Sequence, residues 1–144
     1  MRTALHTAVI GAATAAGVLA CGTAGATPAG PGVTARRFGR TTVGGTDCTL
    51  REITVPPGQS TGWHHRKGPL QGFVKQGTLS RFDSACAPEG VHRTGATIQE
   101  PTGPDPVHIG RNLGDTPLVL YVPYVLPHCS PFSEDAPKPG CPFR

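Results

Sequence analysis

Punctuation is the feature that most narrows what this chain can fold into. Twenty glycines and sixteen prolines make up a quarter of its 144 residues. They fall without a repeating period, mostly between short runs rich in β-branched and aromatic residues. Glycine and proline weaken helices and set turns. Beyond the N-terminal segment, no stretch carries apolar residues at helical spacing over a useful length. A chain built this way buries a core by joining many short strands through turns. The expected strands are 41–43, 48–55, 60–65, 70–75, 78–82, 95–100, 107–112 and 118–126. Gln76-Gly77 predicts a tight turn that folds 70–75 and 78–82 into a hairpin. The fold class is therefore all-β, one sandwich or closed barrel over 41–127. Residues 128–144 hold Pro131, Pro137, Pro139 and Pro142 and predict an irregular tail packed on that barrel.

Residues 1–26 read as an export signal. Arg2 supplies the positive start. Residues 4–20 carry no charge, with Val9, Ile10, Val18 and Leu19 among alanines, and Ala24-Gly25-Ala26 offers a small-x-small cleavage site. The apolar stretch is too short and too weakly apolar for a stable bilayer span. A second reading stays open: Val18-Leu19-Ala20-Cys21 passes a loose lipobox, in which case Cys21 would be acylated and tether the chain to a membrane. Residues 27–40 are then a flexible leader in either case. The expected location is secreted or extracytoplasmic.

The formal net charge is +4. Basic residues cluster only as the pairs Arg36-Arg37 and Arg66-Lys67, which gives nucleic-acid binding little support. No serine sits in a nucleophile elbow, and no glycine-rich phosphate loop is present. With Cys21 removed, Cys48, Cys86, Cys129 and Cys141 remain, an even number that predicts two disulfides in an exported domain. Three pairings are open; Cys141 is expected to reach back to the barrel rather than to Cys129.

The informative stretch runs from Gly58 through Trp63-His64-His65-Arg66 and Gln71 to Gly77. It resembles the first cupin motif: a glycine, five residues, His-x-His, a carboxylate, then a glycine. The gap from Gly58 to His64 fits, and Gly77 falls one residue early. Gly95, Pro101, Gly103, His108 and Asn112 resemble the second motif, with four residues between Gly103 and His108 where about two are usual. The resemblance covers roughly 41–127, and Trp63-His64 followed by Gly68-Pro69 resembles small secreted actinobacterial cupins.

The resemblance implies a single jelly-roll barrel with a central ligand site. In many members a divalent metal sits there, held by the histidines and Glu of the first motif and the His of the second. Residues two apart on a strand share a face, so His-x-His aims two imidazoles inward together. This chain keeps His64 and His108 but has Arg66 at the second histidine position and Gln71 at the carboxylate position. His65 faces away from His64 unless a bulge turns it inward. A guanidinium a few Å from a divalent ion opposes its binding. The expected site is therefore a small-molecule pocket with Arg66, His64, His108 and Gln71 as anchors, suited to an anion.

The alternative is a metal-dependent dioxygenase or isomerase with His64, His108, Gln71 and His65 as ligands, weakly holding Fe, Mn, Zn, Ni or Cu. A third reading is a structural or interaction protein of the cell envelope. Cupin sheets often dimerise, so a homodimer stays open.

Overall fold

A computed structural model describes residues 29–101 and 103–143. The described residues form ten strands and no helix: β1 (Thr34–Val43), β2 (Thr46–Val55), β3 (His64–Arg66), β4 (Leu70–Gln76), β5 (Thr78–Asp83), β6 (Pro88–Arg93), β7 (Thr97–Glu100), β8 (Gly103–Arg111), β9 (Leu118–Pro127) and β10 (Glu134–Asp135). They make two five-stranded sheets, in the orders β1-β2-β9-β4-β7 and β10-β3-β8-β5-β6. Every pairing is antiparallel. The fold is a jelly-roll barrel: all-β, as the turn punctuation predicts, and a jelly roll, as the cupin resemblance implies.

β9 shows why the sheets close on each other. Leu118, Leu120, Val122, Tyr124 and Leu126 alternate onto one face and are all buried. They pack with Val55, Leu70, Val74, Leu79 and Ile98 as one core. Burying a Leu, Val or Ile side chain contributes about 1.5–3 kcal/mol. Pro123 is tolerated because β9 pairs with β4 only from Val119 to Tyr121. Beyond Tyr121 it pairs with β2 alone, and a missing N–H on an unpaired side costs no ladder bond. A second cluster of Trp63, Ile109 and Cys141 lies under the tail, where Phe143 stacks on Trp63 and Phe82 packs against Phe143.

Three expectations about elements are corrected. First, 70–75 and 78–82 are not a hairpin. β4 pairs with β7 and β9, and β5 with β6 and β8, so the chain crosses from one sheet to the other at Gly77. The turn residue is right and the partners are not. Gly77 has φ +80° and a Cβ there would meet the Pro117 carbonyl at 2.8 Å, so the corner needs glycine. Second, β1 begins at Thr34, inside the stretch expected as leader. All ten of its residues are exposed, so it carries no alternation to read; it is held by pairing along β2. β6 was missed for the same reason, being a mostly exposed edge strand. Third, Cys48 is a free thiol. It sits in β2 opposite Thr41 and Val125, with no cysteine across from it. Cys141 bridges to Cys86 on the barrel, across 55 residues of sequence. The signal, the cleavage site and Cys21 lie outside the described residues.

Candidate functional site

β3 and β8 build the floor of the site. His64 and His108 are direct cross-strand partners, and both side chains are buried on the inner face. Their ring centroids are 4.4 Å apart. His64 Nδ1 lies 2.9 Å from the Gly62 carbonyl, and His108 Nδ1 lies 2.9 Å from the Pro106 carbonyl. A carbonyl only accepts, so each Nδ1 carries the hydrogen and each ring turns its Nε2 toward the other residues of the site.

Arg66 follows His64 by two residues and points to the same side, buried. Glu100 reaches it from β7 in the opposite sheet, so the cluster ties the two layers together. Arg66 Nε donates to Glu100 Oε2 in an ion pair. Its Nη1 donates to the Phe132 carbonyl at 2.8 Å, and Nη2 lies 3.2 Å from His64 Nε2. The guanidinium also sits 5.6 Å from the Tyr124 ring centre. His108 Nε2 is 3.4 Å from Glu100 Oε2, yet it makes no hydrogen bond.

The electrostatics follow from burial. Desolvation, then the neighbouring Arg66 charge, pushes His64 down to about 3, so it is neutral throughout the physiological range. Burial works to raise the Glu100 carboxyl, but Arg66 and His108 overcome it and hold that group well below the usual carboxylate range. Glu100 also more than offsets the desolvation of Arg66, which stays charged. The site is thus one paired cation and anion with two imidazoles beside them.

Two expected members are elsewhere. Gln71 is exposed: β4 turns Leu70, Gly72 and Val74 inward, so the residue aligned to the motif's carboxylate faces out, opposite Gln99. His65 lies on the outer side of β3, 3.6 Å from Glu134. The β3–β8 register does shift between His64 and Arg66, but the shift does not bring His65 round to the side of His64. Asn112 is structural: it donates to the Val55 and Thr116 carbonyls and accepts from Gly114.

Glu100 escaped the sequence reading. Its signal was the alternation in 97–100, where Ile98 faces the core and an acid two residues later must face the same way. The barrel therefore has its carboxylate, supplied by β7 instead of its neighbour β4.

His64, Glu100 and His108 bring three ligand-type atoms within 4.8 Å of one another. As folded, the set does not fit a divalent ion. Arg66 donates to the same Glu100 oxygen that would face the ion and lies against the His64 nitrogen. A second cation in that space would compete with Arg66 for the same carboxylate and face its like charge at close range.

The interior beside the cluster is a cavity of only about 20 Å³, close to one water. A crevice of about 100 Å³ opens next to it, between Ala35, Arg51, Tyr124 and Ser133, and ends on His64 and Arg66. Arg51 is half-buried at its side, 4.4 Å from the Phe132 ring centre and 6.0 Å from that of Tyr124. It forms no ion pair among the described residues.

No protein-family model and no curated protein sequence matches the chain. Solved structures do. The polyketide cyclase RemF from Streptomyces resistomycificus matches with a TM-score of 0.59 at 22% identity, over 78% of this chain and 79% of that one. An uncharacterized protein with a double-stranded β-helix domain from Klebsiella pneumoniae matches at 0.54 and 20%, over 71% and 84%. An RmlC-like cupin from Methanocaldococcus jannaschii matches at 0.54 and 14%, over 67% and 82%. The chain has the double-stranded β-helix, the cupin fold. At these identities the likeness is one of architecture.

Proposed function

We propose that this chain is an exported cupin-fold protein that binds a small anion in the crevice beside Arg51. The observation that carries the reading is the charge balance of that crevice. Arg66 is neutralised by Glu100, His64 is neutral, and Arg51 has no carboxylate partner among the described residues. One positive charge is left over in a half-buried cleft. A guanidinium offers parallel N–H donors that match a carboxylate or phosphate. A volume of about 100 Å³ is roughly three waters' worth of liquid, which suits an anion of a few heavy atoms. Arg66, expected as the anion's main partner, instead forms the floor with His64. Export rests on residues 1–26 of the sequence.

The test is thermal unfolding of the chain with acetate, glycolate, oxalate and phosphate at millimolar concentration. At 100 times its Kd, a ligand adds about 2.7 kcal/mol to stability. Arg51→Gln should abolish the shift and Arg51→Lys should keep part of it. No shift with any of the four anions overturns the proposal.

A further inference from the structure

We infer that Arg66 is the resident cation of the barrel: its guanidinium stands in for a metal ion, and it is the residue that keeps the His64–Glu100–His108 cluster metal-free. The inference does not depend on the anion proposal, which rests on Arg51.

The donor set shows the first half of the argument. Both imidazoles have their Nδ1 tied to backbone carbonyls, which leaves Nε2 of each free to face a cation. Backbone carbonyls orient metal-bound histidines in the same way. A carboxylate comes in from the opposite sheet. His108 Nε2 is buried without a hydrogen bond, 3.4 Å from a carboxylate oxygen. With the hydrogen on Nδ1 that pair sets one acceptor against another, an arrangement that a cation, or a proton on Nε2, would relieve.

Arg66 shows the second half. It contributes one unit of positive charge, an ion pair to the same Glu100 oxygen and a donor aimed at His64 Nε2. The Phe132 carbonyl and the Tyr124 ring hold it there from the tail and β9. With Arg66 in place its charge and that of Glu100 cancel. Adding a divalent ion would leave two positive charges in a space with room for about one water. Replacing Arg66 by histidine removes the guanidinium and, because residues 64 and 66 share a face, aims a third imidazole inward.

The experiment titrates Co²⁺, Mn²⁺ and Zn²⁺ into wild type and Arg66→His, read by calorimetry, the cobalt visible absorption and the unfolding temperature. Wild type should bind none of them at stoichiometric level up to about 100 μM, and Arg66→His should bind at least one on the order of 100-fold more tightly, from the like-charge repulsion removed. Metal should raise the unfolding temperature of Arg66→His but not of wild type. Adding His108→Ala to Arg66→His should erase both effects. Stoichiometric micromolar binding by wild type overturns the inference. So does a folded Arg66→His, judged by circular dichroism, that binds no better than wild type. Should Arg66→His not fold, Arg66→Met is titrated in its place, with the same 100-fold criterion. Should neither fold, the wild-type titration decides: no binding stands for the inference, and binding against it.

Discussion

Replacing His64 by glutamine should remove most of the acid sensitivity of this protein between pH 6.5 and 5. In the folded chain, burial and then Arg66 hold His64 at about 3, against an ordinary value of 6.5. The unfolded chain therefore takes up a proton that the folded chain refuses. Stability from this group is complete above pH 6.5 and falls as pH drops from there toward 3. The slope approaches 1.4 kcal/mol per pH unit. Between pH 7 and pH 5 the loss is about 2 kcal/mol, a large part of a typical stability of 5–15 kcal/mol. Glu100 acts in the same direction, but only below its ordinary value of 4.5, so it stays out of the upper window. The assay is urea unfolding followed by the fluorescence of Trp63, the one tryptophan, at four pH values from 7 to 5. The wild-type midpoint should fall by roughly 1–2 M across the series. His64→Gln should show a much flatter profile. An equal slope in the variant, or a flat wild-type profile, would refute the argument.

Glu100→Gln should destabilise by about 3–5 kcal/mol, because it strands the Arg66 charge in the interior. The double change Arg66→Met with Glu100→Leu should be much milder, and a double variant as unstable as the single one would contradict this. Changing Cys86 and Cys141 to serine opens a link across 55 residues, worth about 4 kcal/mol by loop closure; unfolding free energies from urea that differ by under about 1 kcal/mol would argue against it. Gly77→Val should cost more than Gly45→Val. Both have positive φ, but only position 77 has a carbonyl, that of Pro117, within 3 Å of a Cβ. Equal unfolding temperatures for the two variants would show that the corner tolerates a side chain.

Much of the architecture was legible in local pattern. Glycine and proline between short runs marked many turns, the missing helical periodicity argued against helices, and the apolar run 118–126 marked the strand that carries half the core. Strand alternation put His64 and Arg66 on one face and His65 on the other, as the structure has them. Strands with no apolar face, β1 and β6, left no such mark.

Sequence by itself determined that the chain is all-β and which side of its own strand most site residues face, because side-chain direction in a strand repeats every two residues. It did not determine which strands meet. Gln76-Gly77 reads equally as a hairpin turn or as a corner between sheets, and packing of the two layers chose the corner. Glu100 lies 34 residues from Arg66 and in the other sheet. Only closure of the barrel brings that carboxylate to the guanidinium, and with it the neutral His64 and the paired charge that define the site.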